Sequence, residues 1–181
     1  MALALRRAIA AVGVVAVVGT GSGVSVASGS PALSTLGPVS VTGTEASGVF
    51  TVADRTVRQI RYADQGTLSY TFTVSNGSRL PVTVVGLAPE QADPRLFDLV
   101  SLTSGRLSPG ESGEFTLRLD MNGCESLSSR SGSFVSEVVV QTRQARVFED
   151  AVTLVLPEEI HTGSPREAFC PESTATSRPQ G

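Results

Sequence analysis

The sequence predicts an all-β fold, an antiparallel sandwich of two sheets with seven to nine strands, preceded by an N-terminal signal helix. Two observations lead to this prediction. From Tyr70 to Val85, two runs alternate between apolar and polar residues and are separated by Asn76, Gly77 and Pro81, which is typical of antiparallel strands. Runs of the same kind recur between turn residues, and no segment of this body keeps a helical period.

The first thirty residues predict the compartment. Two arginines precede the uncharged run Ala8–Val18, and small residues follow through Ser30. This order is that of a secretory signal peptide, and its strongly apolar part is shorter than the about 20 residues that span a bilayer. We expect residues 1–27 to be removed, so that the mature protein begins near Ser28. The alternative is that the uncut segment from Ala8 to Ala27 anchors the protein in a membrane.

The strands are predicted from alternation, and the turns between them from Gly, Asn, Asp and Pro. Four turns have this chemistry: Asp64–Gly66, Asn76-Gly77, Ser108–Gly110 and Asn122-Gly123. The predicted strands are residues 39–43, 48–53, 57–62, 67–75, 81–88, 96–101, 113–120, 133–142 and 147–156.

Alternation also predicts which side chains face the core, because successive residues of a strand point to opposite faces of the sheet. Thr and Ser occupy the outward positions between these side chains. The predicted inward residues are Leu68, Tyr70, Phe72 and Val74 on one strand, Phe115, Leu117 and Leu119 on another, and Val82, Val84, Val138, Val140, Val152 and Leu154 on the remaining strands.

The chain is organised around one domain. We predict a signal peptide or anchor at residues 1–27, a low-complexity lead at 28–37, the sandwich at 38–157 and a polar tail at 158–181. A body of about 120 residues is long enough to bury a core of its own.

Three motifs of the body carry a resemblance to known proteins. They are Phe72–Asn76 followed by Leu80–Val84, then Leu107–Glu111 before a strand, then paired final strands around Val138 and Val152. In these motifs the body resembles the immunoglobulin-like sandwich of the abnormal-spindle/Hydin and major-sperm-protein kind, which also occurs in exported actinobacterial proteins. The resemblance covers about Thr67 to Leu156. It implies an immunoglobulin-like fold and a binding or scaffold module without catalytic residues. The chain differs from antibody domains because it has no tryptophan.

The amino-acid composition and net charge limit the classes of binding partner. All 14 basic residues are arginine, which indicates a high-GC bacterial genome such as that of an actinomycete, because arginine codons are GC-rich. Without residues 1–27 the chain has 12 basic and 17 acidic residues, a net charge of −5. Basic and acidic residues are interspersed along the chain without an arginine cluster, so nucleic acid and an anionic membrane surface are not indicated as partners. In a bacterium, Asn76-Gly77-Ser78 is better interpreted as a turn than as a glycosylation acceptor.

Cys124 and Cys170 are the only cysteines, and an exported chain lies in a compartment that permits disulfides. We expect these two residues to form a disulfide that ties the tail to the sandwich. The bridge would close a loop of about 47 residues, for which chain entropy predicts roughly 4 kcal/mol of stabilisation. Free thiols or a link to a partner chain are the alternatives. No motif places these cysteines and His161 at metal-ligand spacing.

Signals for catalysis are scarce, so no catalytic, cofactor-binding or metal-binding residue is predicted. The single histidine, His161, falls in the predicted tail, and no Gly-x-Ser-x-Gly elbow occurs between a strand and a helix. The run from Asp120 to Glu125 offers oxygen ligands for calcium but lacks the length of a dedicated loop. An enzyme would need several scattered carboxylates in one cleft: Asp93, Asp98, Glu111, Glu114, Asp120 and Glu125.

Together these observations predict a non-enzymatic, exported interaction or structural module without a cofactor. We expect it to be secreted or to lie on the extracellular face of the cell envelope, and to bind another protein or an envelope component. The longest predicted loops, Ala88–Arg95 and Asn122–Ser133, are candidates for that contact. An N-terminally anchored accessory subunit of a membrane complex is the first alternative. A hydrolase or metal-binding sandwich is the second.

Overall fold

Two sheets packed face to face form the fold, in a computed structural model that describes residues 29–44, 46–62, 65–91, 97–121 and 133–162. One sheet has four strands in the order β1-β4-β8-β6, and the other has six in the order β2-β3-β10-β9-β5-β7. The strands are β1 (Leu33–Thr42), β2 (Ala46–Val52), β3 (Arg55–Arg61), β4 (Thr67–Asn76), β5 (Val82–Leu87), β6 (Phe97–Leu102), β7 (Gly105–Leu107), β8 (Ser112–Met121), β9 (Ser133–Gln144) and β10 (Phe148–Thr162).

The core lies between the two sheets, where the alternation predicted it. Strand β4 alternates buried and half-buried residues along its whole length, and its partner β8 places Phe72 opposite Phe115 and Tyr70 opposite Leu117. These side chains pack in one cluster with residues of the other sheet. All thirteen predicted inward residues are buried except Val152, which is half-buried and packs against the cluster. The prediction of an all-β fold of two packed sheets is therefore confirmed.

The strand count differs from the prediction, since ten strands are present among the described residues. The additional strand, β7, has only three residues, too few for an alternating pattern to show. Strand β1 begins at Leu33, six residues before its predicted start, because its register with β4 shifts on both sides of Pro38. The predicted signal helix lies outside the described residues.

Not every strand pair is antiparallel, which corrects the prediction of an antiparallel sandwich. Residues Glu159–Thr162 of β10 pair in parallel with Val57–Ile60 of β3. The two strands lie far apart in the sequence, and a parallel pair requires such a long connection. An alternating pattern within one strand does not indicate which distant strand lies beside it.

Strand β10 extends five residues beyond its predicted sandwich limit at Pro157. Between the pairs Val155–Glu137 and Ile160–Val135, β10 advances by five residues while β9 advances by two. This bulge contains Pro157, which lacks the N–H that a regular ladder needs. Beyond the bulge the chain rejoins the sheet and places His161 in a strand, not in a polar tail.

No helix among the described residues has the length and apolar character needed to cross a membrane.

Candidate interaction surfaces

Strand β2 is an open edge of the six-stranded sheet. Among the described strands it pairs only with β3, in an uninterrupted register from Ala46 to Val52. All seven residues are uncharged. Val49, Phe50 and Val52 are 50%, 56% and 49% exposed. Within the described part of the chain, the strand therefore presents an unpaired backbone edge together with exposed apolar side chains.

The other three sheet edges carry features that hinder pairing with another chain. Strand β1 contains Pro38 and two register shifts. Strand β6 contains Asp98 and a register shift between Leu99 and Ser101. Strand β7 is three residues long and carries Arg106. Strand β2 has none of these features among its seven residues, which sets it apart as the edge open to a further strand.

Two ion pairs hold the β2–β3 hairpin on the bulge of β10. Arg58 Nε and Nη2 donate to the Glu158 carboxylate at 2.5 and 3.0 Å, and Arg55 Nη1 donates to Glu159 at 2.8 and 3.2 Å. Both glutamates are buried. Arg58 Nη1 also donates to Ser47 Oγ on β2 at 3.2 Å. The bulge thus positions the open edge through charged side chains of β3.

His161 lies on β10 beside this pair of glutamates. Its Nε2 is 3.0 Å from Glu159 Oε1 but is not aligned for a hydrogen bond, and its ring stacks on Phe134 at a centroid distance of 5.4 Å. Tyr70 reaches the same region from the opposite sheet. Its buried Oη has no partner of hydrogen-bond geometry. Burial, and then the negative charge of Glu158, raise the pKa of Tyr70 above its ordinary value, so this hydroxyl remains neutral.

Four chain segments meet at the opposite end of the sandwich, which we call the N-terminal pole. They are residues 31–33, the loop 77–81, the loop 108–111 and the turn 145–147. Buried Asn76 joins three of them, since it also pairs with Leu33 across β1 and β4. Its Nδ2 lies 3.0–3.2 Å from the carbonyl oxygens of Leu80, Leu107 and Ser108, and Gly77 N donates to Ala32 O at 2.8 Å. Ala145 N donates to Pro81 O, which adds the fourth segment.

Asn76 is therefore a structural residue. Its Oδ1 accepts from Ser78 N at 2.9 Å, which forms the turn that the sequence predicted. Because the side-chain amide is buried and fully used, it is closed to glycosylation in the folded protein.

The fold creates a basic region at the N-terminal pole that the linear sequence does not show. Arg106 of β7 and Arg146 of the β9–β10 turn line a depression of about 120 Å³ together with Pro81, Thr83 and Ala145. Arg79 is exposed in the adjoining loop 77–81. These arginines are up to 67 residues apart in the chain.

The carboxylates considered for catalysis do not meet in one cleft among the described residues. Glu111 lies in the loop of the N-terminal pole and accepts from Ser108 N at 2.6 Å, whereas Asp98 and Asp120 pair across β6 and β8 at the far end of β8. Asp120 accepts from Thr67 Oγ1 at 2.9 Å. Asp93 and Glu125 lie outside the described residues.

The structure describes different parts of the two loops that the sequence suggested for partner binding. Ala88 is buried, and Gln91 exchanges hydrogen bonds with the backbone of Val139 at 2.6 and 3.1 Å. The first half of Ala88–Arg95 is thus fixed against β9. Of Asn122–Ser133 only Ser133 is described, as the first residue of β9.

The predicted disulfide and the considered calcium ligands are not decided by this structure. Cys124 and Cys170 both lie outside the described residues, as does most of the run from Asp120 to Glu125. Within the described ranges, no three His, Cys, Asp or Glu side chains form a group that could hold a metal ion.

Comparison with known proteins assigns no family: no protein-family model matches the chain, and no curated protein matches it.

Proposed function

We propose that the protein is an exported, immunoglobulin-like interaction module that binds an extended segment of a partner protein by strand addition at β2. It acts outside the cell or on the extracellular face of the envelope, without a cofactor and without catalysis. The observation that supports this proposal is the open edge of β2, with exposed Val49, Phe50 and Val52 and no charged residue.

Strand addition fits the chemistry of this edge. Main-chain hydrogen bonds to the free edge supply affinity, and apolar contacts with alternate side chains supply specificity. Val49 and Phe50 lie on opposite faces of the strand, so an added strand would find apolar contacts on both. The partner segment is therefore expected to be extended, uncharged and rich in β-branched or aromatic residues.

A foreign segment is favoured over a second copy of the chain because the surface offered is small. Seven residues of one strand provide less than the roughly 800 Å² per partner that a standard stable interface buries. A short extended segment needs only the strand edge itself. The ion pairs Arg58–Glu158 and Arg55–Glu159 hold that edge in place before binding, which lowers the ordering cost of association.

The test is capture of the partner in the native host by a photocrosslinking phenylalanine analogue at Phe50. Val49→Lys is expected to abolish the crosslink, because a lysine on an edge strand opposes further pairing. Val100→Lys on the edge strand β6 is the matched control, since Val100 is also about half exposed, and should leave the crosslink intact.

Loss of the crosslink in both variants, or in neither, would contradict strand addition at β2. A crosslink between two copies of this chain would contradict the proposed partner class. Sedimentation of the purified protein distinguishes that outcome, because a dimer would be lost in Val49→Lys.

A further inference from the structure

The N-terminal pole combines three features, of which β2, at the other end of β10, shares only the exposed apolar side chains. Exposed apolar side chains lie at its tip, unpaired arginines surround them, and the chain that precedes Gly29 leaves the fold there. Each is independent of the proposed strand addition.

The apolar tip is formed by the turn between β9 and β10. Val147 and Phe148 are 74% and 43% exposed, and Val147 is the most exposed of the large apolar side chains described. Ala145 and Arg146 both have positive φ angles, 50° and 68°. The turn has three residues, Ala145–Val147, and Val147 N donates to Gln144 O at 3.1 Å, so the two apolar residues lie at the tip of a long hairpin.

The arginines around the tip are available for an external anion. Among the described residues no ion pair involves Arg79, Arg106 or Arg146. The fourth arginine, Arg143, pairs with Glu149 at 2.7 Å. Three arginines without an ion pair therefore lie at one end of a chain whose net charge is negative, and the charge of one of them, Arg106, acts on Glu111.

Acidic groups at the pole are largely engaged within the protein. Glu111 accepts a hydrogen bond from Ser108 N, and this bond holds the pKa of Glu111 below its ordinary value. Asp150 Oδ1 accepts from Ala151 N at 2.9 Å. These carboxylates reduce the positive potential of the pole. Among the described residues, however, none of them forms an ion pair with one of the three arginines.

The described chain begins at the N-terminal pole. Ala32 and Leu33 are fixed at this end by the bonds from Gly77 N to Ala32 O and from Ala32 N to Ser78 Oγ, and by the pairing of Leu33 with Asn76. Residues 1–28 join the fold here, and they include the uncharged run Ala8–Val18. If this segment is retained as a membrane anchor, which is the alternative to its removal, it holds the pole close to the membrane surface.

We propose that the N-terminal pole is a membrane-docking surface, in which Val147 and Phe148 enter the interface of a bilayer while Arg79, Arg106 and Arg146 contact anionic headgroups. Amphipathic surfaces bind bilayers through buried apolar area and through attraction to anionic lipids. Each basic residue near such a surface contributes about 1 kcal/mol. The docked orientation directs β2 away from the membrane.

The absence of tryptophan from the chain allows a local test. The full 181-residue chain carrying Phe148→Trp is reconstituted into vesicles of phosphatidylcholine with or without phosphatidylglycerol. Emission of the single tryptophan is expected to shift to shorter wavelength and to be quenched by brominated lipid in the anionic vesicles only. Insertion of residues 1–28 by itself does not depend on the arginines of the pole, so the arginine variants described below separate it from docking of the pole.

Phe50→Trp is the matched control, since it makes the same change at an exposed phenylalanine of the opposite end. Its emission should remain that of tryptophan in water. Val147→Trp is a second reporter that does not depend on the packing of Phe148 and should behave like Phe148→Trp. Adding Arg106→Gln and Arg146→Gln to the Phe148→Trp chain should lower the docking equilibrium about 30-fold, which corresponds to about 1 kcal/mol per arginine.

Three results would overturn the proposal. They are equal shifts at positions 148 and 50, no shift at either 147 or 148, and a shift in neutral vesicles as large as in anionic ones. Failure of the β2 crosslink has no bearing on these readouts, because no partner protein is present.

Discussion

Arg58 and Glu158 form a bidentate ion pair between β3 and the bulge of β10, with both side chains largely buried at 15% and 7% exposure. The pair joins residues 100 positions apart. The pair links the two strands next to the segment where they run parallel. Arg58 also donates to Ser47 Oγ, which connects the pair to the edge strand β2. A buried charge requires such a partner, because desolvation of an isolated ion is costly.

Replacing Arg58 with Met should destabilise the protein by about 3–5 kcal/mol, since Glu158 would remain buried without its partner. Arg143→Met is the control, because Arg143 and Glu149 are about half exposed and such pairs contribute about 0–1 kcal/mol. Urea denaturation of both variants measures the difference. Similar losses in the two variants would show that the burial of the Arg58–Glu158 pair has no energetic consequence.

Asn76→Asp should destabilise the N-terminal pole by about 2–4 kcal/mol, because the substitution removes the donors that serve three carbonyl groups. The carboxylate keeps the size and the acceptor of asparagine, so the loss combines the missing donors with the repulsion between the new negative charge and the three carbonyl oxygens. Ser75→Ala, which removes only the exposed bond to Ser112, should cost less than about 1 kcal/mol. Thermal unfolding compares the two, and an unaffected Asn76→Asp protein would exclude a structural role for this amide.

Tyr70→Phe should change stability by less than about 1 kcal/mol at neutral pH, because the buried Oη makes no hydrogen bond of regular geometry and only a weak contact with the backbone of Glu158. The pKa of Tyr70 is raised in the folded protein above its ordinary value of 10.0. The unfolded chain therefore loses this proton first, and the wild type should lose stability as pH rises through about 10.

Tyr70→Phe should remove that contribution to the alkaline loss of stability. Tyr62→Phe is the control, since Tyr62 is the second of the two tyrosines and is also buried, and should retain the contribution of Tyr70. Unfolding free energies from pH 7 to pH 11 measure both variants. A steeper alkaline loss in Tyr70→Phe than in the wild type would contradict the assignment.

Cys124→Ser and Cys170→Ser should each lower the melting temperature to that of the reduced wild type, because a disulfide between them limits the unfolded chain. Intact mass with and without reduction should differ by the two hydrogens of one disulfide. Unequal effects of the two substitutions, or two alkylatable thiols in the exported protein, would exclude the intramolecular bridge.

Alternation in the sequence was sufficient for the strands that form the core. In β4 and β8 each inward residue is apolar and each outward residue between them is polar or small over most of the strand, so the period of two predicted both the strands and their buried faces. The same reasoning missed β7, because its three residues are too few to show an alternating pattern. It also ended β10 at Pro157, because a local pattern does not reveal that the chain rejoins the sheet beyond a bulge.

The all-β class, the inward faces and the turn at Asn76 follow from local sequence patterns, because each depends on residues within a few positions of one another. Tertiary contacts are needed to establish which described strand remains an open edge, which arginine neutralises Glu158, and that Arg79, Arg106 and Arg146 lie at one pole. These features join residues tens of positions apart, and strand order rather than local periodicity brings them together.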